Sequence, residues 1–248
     1  MKKLLAMGIT SMALLLLLSV TALASTGRYD QQIQQAVSDK LKDSRQLHNV
    51  QSSVEDGIVT LTGSVDLLRD KLDAAKKVKK LDHVAGVRNQ IGVSSNVSDA
   101  QLKQSLSKKL AYDRVGYRDN AFNNVTLQVQ DGTVTVGGAT MNYVARDSAL
   151  ATVRNMPGVK DMVDEVKVLP TSFFDDGIRA RTARAIYRDS VLSRYAIDPV
   201  NPIRIVVDNG HVTLYGTVQS QMDKSIAGLR AGQVFGAFSV DNQLAVAN

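Results

Sequence analysis

The side chains able to do chemistry are few and scattered. The histidines are His48, His83 and His211, the glutamates are Glu55 and Glu165, and there is no cysteine. No two histidines stand at the spacing of a metal pair, and without cysteine a thiolate zinc site is excluded. The aspartates gather at turns and helix starts, where hydrogen bonding to backbone explains them. Gly137-Gly138 is followed by no helix opening on Lys-Ser or Lys-Thr, so it is no phosphate loop. The expectation is a chain that is not an enzyme: no catalytic residue, no metal, no cofactor.

What remains is binding chemistry. One segment carries Lys71, Lys76, Lys77, Lys79 and Lys80. It reads as a patch for lipid phosphates, or as a solvated helix face offset by Asp66, Asp70 and Asp73. A second set lies in two longer connections. One holds Tyr112, Arg114, Tyr117, Arg118 and Phe122; the other holds Arg194 and Tyr195, with Tyr187 just ahead of it. Tyrosine offers a large contact area at low entropic cost, and arginine pairs with phosphate or carboxylate. The alternative is that each aromatic ring covers the end of a small core.

The elements that position these residues come from a stretch that occurs three times. It reads Asp56-Gly57-Ile58-Val59-Thr60-Leu61-Thr62-Gly63, then Asp131 to Gly138, then Asn209 to Gly216. Asp-Gly or Asn-Gly between alternating apolar residues signals a hairpin, because a type I′ turn needs positive φ at both central residues. Gly57, Gly132 and Gly210, with Gly63, Gly138 and Gly216 that close each copy, are read as structural turn residues. Before each turn an alternating strand ends: Val50, Ser52, Val54; Val125, Leu127, Val129; Ile203, Ile205, Val207. Seventeen residues after each turn glycine comes Ala74, Ala149 or Ala227. Further on stand Val87, Ile91 and Val93, then Met162, Val166 and Val168, then Val240, Leu244 and Val246, at one spacing in all copies. Fixed spacing under heavy drift is the mark of a structural repeat.

Each copy begins with an amphipathic helix opened by Asp30, Asp99 or Asp175, read as its N-cap, and carries a second helix after the hairpin. The second helices are expected over Leu67 to Leu81, Asn142 to Asn155 and Gln219 to Ala231, the last weakened by Gly228. The fold class is α+β: three tandem small domains, each α-β-β-α-β, with a three-stranded mixed sheet and two helices on one face. From aspartate to turn glycine the distance is 27, 33 and 35 residues in the three copies. The second and third therefore enlarge the connection between first helix and first strand, and divergent loops on a rigid scaffold are where binding residues tend to live.

The residues resemble the BON domain. The likeness rests on Gly-x-Val-x-Leu-x-Gly-x-Val, here Gly57 to Val65 and Gly210 to Val218, and on Gly158 to Val166. Repeat one departs with His83-Val84, repeat three with Gly236-Ala237, and Thr140 stands where repeat one has Val65. The resemblance implies an envelope protein akin to osmotically inducible periplasmic proteins. It implies non-catalytic work under stress or in envelope integrity: association with anionic phospholipid, or chaperone-like contact with envelope or client proteins. A purely structural protein–protein repeat with no lipid binding is the alternative.

Lys2 and Lys3, the apolar run Leu4 to Val20 and Ala22-Leu23-Ala24 read as a signal peptide cleaved after Ala24, the rival being an uncleaved anchor. The expected boundaries are 1–24 for the signal peptide and 25–97, 98–170 and 171–248 for the repeats. No later stretch is apolar enough to span a bilayer, and the lack of cysteine rules out lipoprotein attachment. The net charge of +6 loses two units with the signal peptide. So small an excess on an exported chain argues against nucleic acid, while the signal peptide and the resemblance imply the periplasm.

Overall fold

The computed structural model describes residues 27–112, 119–198 and 202–247. The expected signal peptide lies outside them, as do the candidate binding residues Arg114, Tyr117 and Arg118. The described residues form two compact units. The first runs to Val65 and takes in Arg69–Gly92; the second is Asp66–Leu68 with everything from Val93 onward.

Repeat one comprises α1 (Asp30–Lys42), β1 (Val50–Glu55), β2 (Ile58–Val65), α2 (Leu68–Val78), β3 (Gly86–Asn89) and β4 (Gly92–Val93). Repeat two comprises α3 (Asp99–Tyr112), α4 (Asp119–Phe122), β5 (Asn124–Gln130), β6 (Thr133–Thr140), α5 (Tyr143–Arg154), β7 (Asp161–Asp164) and β8 (Lys167–Val168). Repeat three comprises α6 (Phe173–Tyr187), β9 (Arg204–Asp208), β10 (His211–Tyr215), β11 (Thr217–Val218), α7 (Gln221–Gly232), β12 (Ser239–Asn242) and β13 (Ala245–Val246). α2 ends three residues earlier than its apolar periodicity suggested, so Lys79 and Lys80 follow the helix.

Each repeat is a mixed sheet with two long helices, and repeat two adds the short α4. The first strand pairs antiparallel with the second, and the last chain segment runs parallel to the second: β1 and β3 flank β2, β5 and β7 flank β6, β9 and β12 flank β10. Val59 faces Val87, Val134 faces Met162 and Val212 faces Val240, an identical register in three copies. Val59, Leu61, Val134, Val136, Val212 and Leu214 are buried, as are Ala74, Ala149 and Ala227. The core of repeat two joins Leu102 and Leu106 of α3 to Val134, Val136, Leu150 and Val153. That of repeat three joins Ile178 and Ile186 of α6 to Ile205, Val212, Leu214 and Ala227.

Both glycines of the motif are required, for different reasons. At the hairpin tips Asp56, Asp131 and Asn209 have φ of 52°, 53° and 51°, followed by Gly57, Gly132 and Gly210 at 75°, 79° and 81°. That is the paired positive φ of a type I′ turn. Gly63, Gly138 and Gly216 belong to no hairpin turn. They kink the central strand, with φ of 102°, 92° and 126°. The start of the first strand crosses so close there that a Cβ would lie 2.0 Å from the Asn49 carbonyl oxygen at Gly63 and 1.9 Å from that of Asn124 at Gly138.

The aspartate that opens each repeat lies inside its helix rather than at the N-cap expected from sequence: Asp30 and Asp99 are the first residues of α1 and α3, and Asp175 is the third of α6. The residue ahead of Asp30, Tyr29, makes no side-chain cap bond, while Ser172 caps α6 by accepting from the Asp175 N–H at 3.2 Å. The aspartate carboxylate reaches across to the hairpin tip and accepts two backbone N–H groups there. Asp30 takes those of Asp56 and Gly57 at 3.0 and 2.9 Å. Asp99 takes those of Asp131 and Gly132 at 2.7 and 2.9 Å. Asp175 takes those of Asn209 and Gly210 at 3.0 and 2.8 Å. A hairpin tip in I′ geometry leaves these N–H groups pointing away from the ladder, and the carboxylate satisfies both.

The last strand breaks in two in every copy. Asn89 Oδ1 accepts from the Ile91 N–H at 3.3 Å and its Nδ2 donates to the Lys71 carbonyl at 2.8 Å. Asn242 repeats this with Leu244 at 3.4 Å and Lys224 at 2.7 Å. The chain bulges there and turns Ile91 and Leu244 into the core, each 1% exposed. Gly228 in α7 makes room for it, since a Cβ would meet Asn242 Nδ2 at 2.8 Å. Among the described residues no helix is long and apolar enough to cross a membrane.

Candidate binding surface

The enlarged connections are mostly built into the scaffold. In repeat two, Phe122 on α4 is 8% exposed and belongs to the core of repeat three, beside Ile186, Leu192 and Ile205. In repeat three, Tyr195 is 4% exposed. Its hydroxyl donates to Asp223 Oδ2 at 2.6 Å and accepts from the Gln219 N–H at 2.7 Å. Arg194 pairs with the same carboxylate and lies over the Tyr195 ring, 5.3 Å from its centroid. This brace pins the connection to the first turn of α7. Tyr187 donates to the Ile203 carbonyl at 2.5 Å, and burial holds its hydroxyl well above the ordinary tyrosine range. Phe122 and Tyr195, expected as exposed contacts, are therefore core residues: the extra chain closes its own apolar surface. Tyr112 remains half exposed at the end of α3.

The lysines of repeat one differ in their surroundings. Lys77 Nζ donates to Ser44 Oγ at 2.9 Å, Lys71 is half-buried, and Lys76 and Lys80 are exposed. Among the described residues no three His, Asp or Glu side chains gather closely enough to hold a metal.

A surface that the sequence motifs did not signal lies at the hairpin end of repeat three. Phe173, Phe174, Phe235 and Phe238 are 94%, 50%, 88% and 70% exposed, and they are four of the five phenylalanines in the chain. Their convergence follows from the fold. Asp175 must sit beside the hairpin tip to hold its N–H groups, so Phe173 and Phe174, just ahead of it, sit there too. The chain entering β12 also passes the tip, with the Phe238 N–H on the Gly210 carbonyl at 2.9 Å. The Phe238 ring covers Gly210, and its centroid is 5.8 Å from that of Phe174 and 6.2 Å from that of His211. Arg181 Nε donates to the Phe235 carbonyl at 3.1 Å, holding a guanidinium at the edge of the rings.

The other copies place different residues in these positions. Repeat one has Arg28, Tyr29, Asp82 and Ala85; repeat two has Val97, Ser98, Pro157 and Lys160. In repeat one the Tyr29 ring stacks on His83 with centroids 4.0 Å apart. The aromatic cluster thus belongs to repeat three and is no requirement of the fold. Counting the same offsets from the opening aspartate and the turn glycine lines these positions up across the copies, but only the clamp and the returning strand bring the two segments to one hairpin tip.

The family model of the BON domain matches the chain three times, over residues 29–95, 98–170 and 175–248. No curated protein matches the chain significantly. Similar solved structures include CdsD, a structural protein of the type III secretion system of Chlamydia trachomatis, at 13% identity and TM-score 0.26 over 85% of this chain and 90% of that one. Another is the periplasmic domain of PrgH, a type III secretion inner-membrane protein of S. typhimurium, at 12% identity and TM-score 0.21 over 86% of this chain and 99% of that one. Likeness at scores this low says nothing about function. BON domains are envelope modules that bind phospholipid or protein and are generally non-catalytic. With its three matched copies of helix, hairpin, helix and returning strand, the chain belongs to the BON-domain family.

Proposed function

We propose that the protein is an exported, non-catalytic periplasmic module that associates with anionic phospholipid membranes through the hairpin end of repeat three. In this reading residues 1–24 are a cleaved signal peptide, and 25–97, 98–170 and 171–248 are the three domains. The observation that carries it is the cluster of four exposed phenylalanines with Arg181 at its edge. Four exposed phenylalanines at one end of a domain, two of them in ring contact, mark an interaction site more often than an idle surface. Each ring moved out of water contributes about 1.5–3 kcal/mol if fully buried, against about 1 kcal/mol for one arginine near an anionic surface. The apolar term therefore dominates, and binding should survive moderate salt. Tyr112, Arg114, Tyr117 and Arg118 are a second contact in this reading, and the lysines of α2 an auxiliary electrostatic one.

Sedimentation with vesicles of phosphatidylglycerol in phosphatidylcholine tests it. The double variant Phe173→Ser, Phe235→Ser should bind at least tenfold more weakly with an unaltered melting temperature, since both rings are almost fully exposed. Undiminished vesicle binding by that variant would exclude this surface. Vesicle binding absent from the native chain itself would favour the purely protein–protein role.

A further inference from the structure

Where α4 of repeat two meets α6 of repeat three, the second compact unit holds a pocket of about 390 Å³. Ala121 and Phe122 form one wall, Ala183 and Tyr187 the other, and Arg184 and Arg188 stand at the edge. The Tyr187 hydroxyl is engaged by the Ile203 carbonyl at 2.5 Å, so the ring offers its carbon face. The floor is accordingly apolar. Arg184 lies in the last turn of α6 and Arg188 is its C-cap, four residues on, and both line the pocket. Both are exposed, and among the described residues neither side chain has a hydrogen bond or ion pair. Other arginines of repeat three are engaged: Arg179 with Asp176, Arg194 with Asp223 and Arg230 with Asp189. Two unpaired cations over an apolar slot match an anion with an alkyl tail.

We propose that this pocket binds a single-chain anionic amphiphile, a free fatty acid of medium chain length. Its carboxylate would sit on Arg184 and Arg188 and its chain against Phe122 and the two alanines. Paired arginines suit a carboxylate because the planar fork donates two parallel hydrogen bonds. The volume lies near the lower end of small-molecule sites, about 300–1,000 Å³, which suits one alkyl chain and not the two of a bilayer lipid. The pocket is separate from the phenylalanine end, so either site can be lost without the other.

The test is calorimetric titration of the intact protein with decanoate below its micelle concentration. Saturable one-to-one binding is expected. It should weaken about tenfold in Arg184→Gln, Arg188→Gln, whose side chains are exposed and whose fold should be untouched. It should vanish when the slot is filled from either wall, by Ala183→Phe or by Ala121→Phe, with the melting temperature checked for each. Decanol, lacking the charge, should bind at least tenfold more weakly than decanoate. Phosphatidylglycerol vesicles should still bind the arginine double variant, while the Phe173→Ser, Phe235→Ser variant should keep its decanoate affinity. Absence of saturable decanoate binding, or binding that survives filling from both walls, overturns the pocket. Decanol binding as tightly as decanoate overturns the role of the arginines.

Discussion

Gly63 and Gly86 lie in the same repeat, and only one of them is irreplaceable. At Gly63 φ is 102° and an added Cβ would press to 2.0 Å from a carbonyl oxygen; at Gly86 nothing lies within 4 Å. Left-handed backbone strain and forced repacking together put Gly63→Ala at about 2–4 kcal/mol of lost stability. Gly86→Ala should stay within about 0.5 kcal/mol. Urea denaturation midpoints of the two variants decide it, and equal midpoints would refute the kink. Asp223 makes a second prediction. Burial pushes its carboxyl up, but hydrogen bonds from Tyr195, Arg194 and Ser220 outweigh that and hold it below the ordinary carboxylate range. A depressed pKa in the folded state means the stabilisation is complete above the unfolded value of about 4 and is lost as pH falls through the folded value. The native chain should therefore lose stability below about pH 4 more steeply than Asp223→Asn, with the two curves parallel above it. Thermal melts from pH 2 to 7 give the comparison.

Among the elements, the broken last strand shows how one position constrains another. Asn89 and Asn242 each use the amide N–H to reach a carbonyl of the second helix. Repeat two has Asp164 there, which cannot donate. Its partner position supplies the donor: Arg146 turns its side chain to Asp164, and the carboxylate still accepts from the Val166 N–H at 3.1 Å. That pairing lifts the Arg146 pKa and keeps the bulge in place with the polarity reversed. Asn242→Asp, with no arginine opposite, sets a carboxylate against the Lys224 carbonyl. It should cost about 1–3 kcal/mol, read as a lowered melting temperature. Adding Lys224→Arg should recover part of the loss; no recovery would show that the two positions do not communicate.

At the scale of the molecule, repeats two and three are bound together because a ring of repeat two enters the core of repeat three. Phe122 leaves its own repeat to pack with Ile186, Leu192 and Ile205, and Lys167 pairs with Asp208 at 2.6 Å. The exposed pair contributes at most about 1 kcal/mol, so the ring decides the linkage. Phe122→Ala should destabilise repeat three by about 3–5 kcal/mol although the substitution lies in repeat two. Hydrogen exchange in the full chain reads this directly, as faster exchange of the amides of β9 and β10. Exchange that accelerates in repeat two alone would refute the shared core.

Backbone chemistry was legible without a structure. The turn dipeptides, the alternation around them and the fixed offsets determined three α+β copies and the register of each hairpin, because a type I′ turn and a period of two admit one solution once a face is buried. The role of Asp30, Asp99 and Asp175 was not legible, because a helix cap and a clamp on a distant turn call for the same residue type. The exposed phenylalanine surface was hidden for a related reason. Tyr195 and Phe122 look like contact residues in any loop, and only the folded chain shows that Asp223 and the repeat-three core claim them. The phenylalanines lie about 60 residues apart in sequence and meet only because the aspartate clamp and the returning strand share one hairpin tip. Burial and convergence depend on which segments are brought together in space, and that the tertiary structure alone decides.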